Sequence, residues 1–184
     1  MMKKSVAFLI LSILVLIAKL GTAAASEDRP NWTILIDPNK EDRTIFCVTR
    51  SVTSNPAPDD MAGILCMMCD GNQFTGNLLF DRDIAIAGDA QQRVLKDFSP
   101  QPVRIFPAEV RSPDGLNDIE VFIEDNDETR AYFVDSRYVL NHIFAADRGK
   151  TPLWFRLDHK AQGKRIWQYD VTGAEFVMTR ECRL

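Results

Sequence analysis

The segment Cys66-Met67-Met68-Cys69 has the residue types and the spacing that most directly suggest chemistry. In thioredoxin-like proteins a C-x-x-C pair begins a helix, which lowers the pKa of the first thiol and exposes it for disulfide exchange. Here the apolar run 62–65 precedes the pair and the turn sequence 70–72 follows it, which predicts a strand rather than a helix. Structural disulfides are therefore the favoured interpretation, and redox exchange through Cys66 and Cys69 is the alternative.

An even number of cysteines in an exported chain predicts a disulfide framework, and this chain has four: Cys47, Cys66, Cys69 and Cys182. Three pairings are possible. One joins Cys47 to Cys182 and Cys66 to Cys69. A second joins Cys47 to Cys66 and Cys69 to Cys182, and the third joins Cys47 to Cys69 and Cys66 to Cys182. The sequence does not choose among them.

Other catalytic and metal-binding patterns are missing from the sequence. One C-x-x-C with two histidines, His142 and His159, does not make a zinc site, so no metal and no cofactor are expected. The chain lacks the serine-hydrolase elbow, the glycine-rich phosphate loop and the zinc-protease helix motif. The acidic connection 124–128 lacks the glycine and spacing of a calcium loop, so a solvated turn is expected.

Single residues with catalytic potential also lack a supporting pattern. His142 lies beside Tyr138 and off the apolar stripe of its predicted helix, so we expect it at the surface or at its boundary. A glycosidase needs two positioned carboxylates. The acidic residues that offer such a pair are common in this chain and carry no specific spacing: Asp81, Asp83, Asp118 and Glu120. These patterns give no reason to expect an enzyme.

Two tryptophans, Trp154 and Trp167, fall in neighbouring predicted strands near the C-terminus. If both side chains face solvent, they form an exposed aromatic patch that would bind a partner. If both face inward, they belong to the core, which is the commoner arrangement for such residues. The pair is therefore a candidate binding patch whose orientation the sequence leaves open.

The first 25 residues have the layout of a secretory signal peptide. Lys3 and Lys4 precede an almost wholly apolar run over residues 5–20, and the small residues 23–25 suit a cleavage site. Cleavage after Ala25 leaves 159 of the 184 residues, residues 26–184, which fits a single β-rich domain. We expect a periplasmic or secreted protein with no membrane span after cleavage.

The charge balance restricts the partners of the exported chain. The whole sequence has 22 basic and 26 acidic residues, and the signal peptide holds three of the basic ones. The mature chain therefore has 19 basic against 26 acidic residues, a net charge near −7. Such a surface repels nucleic acid and anionic lipid at long range and favours basic partners.

Short segments with alternating or β-branched residues predict a mainly β chain. The continuous apolar character of 62–68 predicts burial on both faces, and the prolines around 103–106 predict an edge strand. Two hairpins are expected, 119–123 with 131–134 and 153–157 with 165–169. The further predicted strands are 32–36 and 44–49.

One clear helix is predicted over Arg137–Asp147, capped by Asp135 or Ser136 and ended by Gly149. Residues 174–179 are either a short helix or a last strand. Together these elements predict a single β-sandwich or a partly open barrel-like domain, with one packed helix and stabilising disulfides.

The order of elements in the C-terminal third is similar to that of a known family. A helix is followed by Gly149-Lys150, a strand, a glycine-bearing loop, another strand and the segment 171–176, with a terminal cysteine nearby. With the early strand Trp32-Thr33-Ile34 and Cys47, this order resembles the invasion-associated locus B family. The resemblance implies a small exported bacterial protein with a β-sandwich-like fold, disulfides, and a role in host or envelope interaction.

The function most consistent with these features is non-enzymatic binding in the bacterial periplasm or cell envelope, with an unidentified protein or envelope component as partner. The export signal, the disulfides and the absence of a catalytic pattern support it. The alternatives are a thiol–disulfide protein using Cys66 and Cys69, and an inhibitor of a cationic wall-degrading enzyme that the acidic chain would attract.

Overall fold

The described residues form ten antiparallel strands in one sheet, together with two helices. The strands are Thr33–Ile36 (β1), Arg43–Thr49 (β2), Gly63–Asp70 (β3), Gln73–Phe80 (β4), Gln91–Val94 (β5), Pro102–Ser112 (β6), Gly115–Glu124 (β7), Asp127–Phe133 (β8), Leu153–His159 (β9) and Gly163–Tyr169 (β10). Their order in the sheet is β1-β2-β3-β4-β8-β7-β6-β9-β10, and β5 pairs with β6 outside this path. The computed structural model describes residues 32–36, 43–49, 63–70, 73–80, 86–87, 90–96, 98–124, 127–160 and 163–182, with the backbone alone for 127, 128 and 159. The predicted signal peptide 1–25, part of the acidic connection 124–128, Asp81 and Asp83 lie outside these residues.

The mainly β prediction is confirmed, and the described strands do not close into a barrel because β1 and β10 lie at opposite ends of the order. The helices are Ser136–Gly149 (α1) and Ala174–Cys182 (α2).

The sheet has an inner face, which both helices cover, and an outer face. Successive residues of a strand point to opposite faces, so burial alternates along β2 and β3. The prediction that β3 is buried on both faces was therefore wrong. Leu65, Met67 and Cys69 are buried on the inner face, whereas Ile64, Cys66 and Met68 are half-buried on the outer face.

The inner face carries the main core. Large side chains from distant strands meet there, which requires the sheet to curl around them. Phe80 of β4 contacts Trp167 of β10 edge-on at 5.3 Å between ring centroids, and Phe133 stacks on Phe155 at 5.1 Å. Side chains pack directly against Gly76, where an added Cβ would lie 2.5 Å from the Met67 sulfur, so a larger residue here would have to displace Met67 and Phe133.

Strand β6 corrects the prediction of a short edge strand. It runs for 11 residues and pairs with β7 along one side and with β5 and β9 along the other. The flanking prolines had suggested an edge because proline cannot donate to a strand ladder. Pro107 lies within β6 but is exposed, opposite Glu120 of β7.

Both helices pack on the inner face. As predicted, Asp135 caps α1, since its carboxylate accepts a hydrogen bond from the Tyr138 amide at 2.9 Å. Helix α1 ends at Gly149, and Lys150 follows in the left-handed conformation with φ of 49°. The segment that the sequence left open as helix or strand is the second helix, α2, so the described residues include two packed helices where the sequence predicted one.

A smaller cluster covers part of the outer face. Leu95 and Phe98, which follow β5, pack against Val103, Ile105 and Phe122. Phe98 and Phe122 lie 5.1 Å apart between ring centroids. This cover protects the end of β6 nearest β5, whereas the other end of β6 and the adjoining parts of β7, β9 and β10 present exposed side chains on the outer face.

Candidate functional site

Cys66 and Cys69 lie on opposite faces of β3, because they are three residues apart in an extended strand. The structure therefore selects the second of the three possible pairings. Cys66 bonds to Cys47, its direct neighbour in the β2–β3 register, and Cys69 bonds to Cys182. The two cysteines of the C-x-x-C are not joined to each other.

The two disulfides link different parts of the fold. The Cys47–Cys66 bond links adjacent strands on the outer face, where both cysteines are half-buried. The Cys69–Cys182 bond is buried on the inner face and ties the end of α2 to β3 across a sequence separation of 113. The second bond fixes the C-terminal helix over the core.

Trp154 and Trp167 do not form one patch, which corrects the joint binding-patch prediction. In the β9–β10 register Trp167 is opposite Phe155 and Trp154 is opposite Gln168, so the two indoles point to opposite faces. Trp167 is buried in the core against Phe80. Trp154 is half-buried on the outer face and is the member of the pair that a partner can reach.

Trp154 lines a cleft of about 290 Å³ on the open part of the outer face. Leu116 of β7 and Ile166 of β10 are exposed beside it, with 57% and 39% of their surface accessible. We call this surface the Trp154 cleft, and its full lining is Glu109, Arg111, Gly115, Leu116, Trp154, Phe155, Arg156 and Ile166. Exposed aliphatic side chains grouped around an aromatic ring are typical of contact surfaces.

The cleft has two arginines in different electrostatic situations. Arg156 forms an ion pair with Glu109, its cross-strand neighbour, and both side chains are mostly buried. Arg111 is exposed directly opposite Trp154 in the β6–β9 register. Among the described residues, Arg111 has no hydrogen bond or ion pair. The cleft thus combines apolar surface with one guanidinium that is available to an anion.

Acidic residues lie beyond the cleft on the same face. A second, smaller cavity of about 80 Å³ is lined in part by Asp118, Asp158 and Lys164. Of the predicted carboxylates, Glu120 is paired with Arg93 and so is already neutralised by a neighbour. Asp118 and Glu120 are two residues apart on β7 and share the outer face.

His142 is buried, which corrects its predicted surface or boundary position. Only 5% of its surface and 7% of that of Ser112 are accessible. The His142 Nδ1 and the Ser112 Oγ lie 2.9 Å apart, and the pair links α1 to β6. The spacing of 30 residues carried no signal for this contact, which depends on how the helix lies across the sheet.

Burial lowers the pKa of His142 below its ordinary value of 6.5, while the negative charge of Asp114 acts in the opposite direction. The Tyr138 ring meets the imidazole edge-on, with 4.8 Å between the ring centroids. The His142 Nε2 is buried and has no hydrogen-bond partner among the described residues. Because the Ser112 hydroxyl is also buried, the pair does not present a nucleophile to solvent. Its contact joins α1 to β6.

Within the described residues no group of three or more histidine, cysteine or acidic side chains is arranged to hold a metal ion. None of the described helices is long and apolar enough to cross a membrane. Comparison with known proteins found no matching family model, no matching curated protein and no matching solved structure.

Proposed function

We propose that this chain is an exported, non-enzymatic binding protein of the bacterial periplasm or cell envelope, and that the Trp154 cleft is its contact surface. The observation that carries the proposal is the grouping of exposed Leu116 and Ile166 around Trp154, beside an arginine with no partner in the described part of the chain. The two disulfides support an oxidising compartment.

The chemistry of the cleft favours one kind of ligand, a protein segment with an apolar side chain next to a carboxylate. The apolar group would displace water from Trp154, Leu116 and Ile166, and burial of such surface is the main source of affinity. The carboxylate would pair with Arg111, whose planar guanidinium can bind it through two hydrogen bonds. The cleft is only partly enclosed, which suits a segment of a larger partner better than a fully enclosed small molecule.

Site-specific photocrosslinking in an envelope extract tests this proposal. A photoreactive phenylalanine analogue replaces Leu116 in the cleft, and a matched control places it at Phe176, which is exposed on α2. We expect a discrete adduct from position 116 that is absent from position 176. The adduct should be lost on Arg111→Glu and reduced on Trp154→Ala, while Arg111→Lys should retain part of it.

Two results would overturn the binding proposal. One is the absence of any adduct specific to position 116. The other is turnover of a substrate that a point substitution in this chain abolishes, because the proposal assigns no catalytic group. An adduct that survives Arg111→Glu would leave the cleft as a contact surface but remove the carboxylate from its ligand.

The thiol–disulfide alternative has one observation in its favour. The Cys47–Cys66 bond is half-buried on the outer face, where a small thiol can approach it. Exchange would then pass through Cys66 and Cys47, since Cys69 is bonded to Cys182. A titration in a thiol redox buffer tests it: opening of this bond at a mild potential, with the fold retained, would support exchange, and resistance of both bonds would exclude it.

The alternative of an inhibitor is favoured by the charge of the chain, which is −4 over the whole sequence. An acidic protein attracts a cationic wall-degrading enzyme at long range, and salt screens that attraction. A pull-down with a cationic muramidase at low ionic strength distinguishes this alternative. A complex that disappears on adding salt would support it, and no complex at low salt would exclude it.

A further inference from the structure

Strand β1 lies at the end of the sheet order and has one neighbour among the described strands. It pairs with β2 over four residues, from Thr33 opposite Cys47 to Ile36 opposite Thr44. Its other side has no partner strand among the described residues. An unpaired edge presents backbone amides and carbonyls that can hydrogen-bond another extended chain.

The side chains of β1 do not protect this edge. Ile34, Leu35 and Ile36 are consecutive, and 37%, 42% and 66% of their surfaces are accessible. The strand contains no charged residue and no proline. At the opposite end of the sheet, β10 carries Lys164 and Arg165, the kind of residues that keep an edge from pairing.

We propose that β1 pairs antiparallel with β1 of a second copy of this chain and so extends the sheet across a twofold axis. With the axis perpendicular to the sheet, the inner faces of both copies lie on the same side. Leu35 of one copy then lies opposite Leu35 of the other, and Ile34 lies opposite Ile36. The cross-strand pairs formed by Ile34, Leu35 and Ile36 are all apolar, and no charge lies opposite another charge among them.

The uncharged sequence of β1 is the reason for choosing a second copy as the occupant. A net-acidic chain repels its own copies, so a self-contact is best made where the surface carries no charge. Four residues of strand make a small interface, and interfaces well below about 1,200 Å² are weak and transient. The dimer is therefore concentration-dependent, and added salt strengthens it by screening the repulsion between copies.

Sedimentation equilibrium of the purified, oxidised protein over a wide range of concentration tests the inference. We expect the mass to rise from that of a monomer towards twice that value, and to do so at lower concentration in higher salt. Leu35→Lys, which places a charge at the twofold axis, should keep the protein monomeric. Val94→Lys on β5 is the matched control, since Val94 is also an exposed aliphatic residue, and it should leave the dimer intact.

Far-ultraviolet circular dichroism shows whether each variant is folded, and Ile36→Lys is the second variant if Leu35→Lys does not fold. A monomer at all concentrations would overturn the inference, and so would a dimer that both β1 substitutions leave unchanged. A dimer that high salt dissociates would point to charged surfaces and would also overturn it. The test is independent of the Trp154 cleft, because Leu35→Lys should not change crosslinking from position 116.

Discussion

The two faces of the sheet differ in what holds them and in what they can do. The inner face is covered by α1 and α2, and its disulfide, Cys69–Cys182, is buried. The outer face is covered only in part by the segment after β5, and its disulfide, Cys47–Cys66, is half-buried. The two cysteines of the C-x-x-C divide between the faces, with Cys66 outside and Cys69 inside. The two tryptophans of the β9–β10 hairpin divide in the same way. The comparison indicates that stability lies mainly in the inner face, and it leaves the outer face as the location of the proposed contact surface.

The disulfides give the largest expected difference between the faces. Replacing Cys69 and Cys182 together by alanine frees a loop with a sequence separation of 113, against 19 for Cys47 and Cys66. On a loop-entropy estimate the losses are about 5 kcal/mol and about 3 kcal/mol in the free energy of unfolding. Urea denaturation of both double variants measures them. A larger loss for the outer pair would contradict the assignment of stability to the inner face.

The two tryptophans provide a matched pair within one hairpin. Trp167→Ala removes a buried ring from the core and should lower the free energy of unfolding by about 3–5 kcal/mol. Trp154→Ala removes a half-buried ring from the outer face and should cost about 1 kcal/mol or less. Denaturant midpoints at constant slope provide the measurement. Equal losses would show that Trp154 is part of the packing that maintains the fold.

The next prediction concerns His142, which packs on the inner face and should make the free energy of unfolding depend on pH. The pKa of His142 is lowered by burial, so between that value and 6.5 the unfolded chain binds more protons than the folded chain. Stability is therefore fully present above the unfolded pKa and falls as pH drops through 6.5 towards the folded value. His142→Asn should flatten this dependence in thermal or urea unfolding at several pH values.

Two further substitutions control the His142 prediction. Asp114→Asn removes the charge that raises the pKa of His142, so the pKa should fall further and stability should depend more steeply on pH. Ser112→Ala breaks the contact with Nδ1 but keeps the imidazole, so some pH dependence should remain. An unchanged pH profile in His142→Asn would show that another group is responsible.

Local signals predicted much of the fold. The helix α1, its Asp135 cap and its end at Gly149 follow from neighbouring residues, and so do the hairpins β7–β8 and β9–β10. The length and interior position of β6 were missed because its prolines favoured an edge, whereas pairing partners far along the chain decide where a strand lies. Contacts such as Ser112 with His142 depend on tertiary packing and have no sequence pattern.

The candidate site could be predicted in part. Once residues 63–70 are assigned to a strand, the period of two places Cys66 and Cys69 on opposite faces, which already argues against a bond between them. The tryptophans needed the β9–β10 register, and a shift of one residue would have reversed the assignment. Arg111 became a candidate only when the β6–β9 pairing placed it opposite Trp154.

The smallest expected effect concerns the ion pair of Arg156 with Glu109 on the outer face. A double-mutant cycle with Glu109→Gln and Arg156→Met should give a coupling of about 1 kcal/mol or less, decreasing with added salt. Arg156→Met alone should lower the free energy of unfolding by more than this coupling energy, because it removes the cation that pairs with the Glu109 Oε1. The Glu109 Oε2 is already buried with no hydrogen-bond partner among the described residues, so the carboxylate would then have none at either oxygen.

In the double variant the loss from Arg156→Met should be partly recovered, since no unpaired carboxylate remains at the cleft. Crosslinking from position 116 should then change little, because Arg111 rather than Arg156 is the guanidinium available to a ligand. A coupling well above 1 kcal/mol would instead mean that the ion pair holds β6 to β9. The outer face would then contribute to stability as the inner face does, and the division between the two faces would fail at this point.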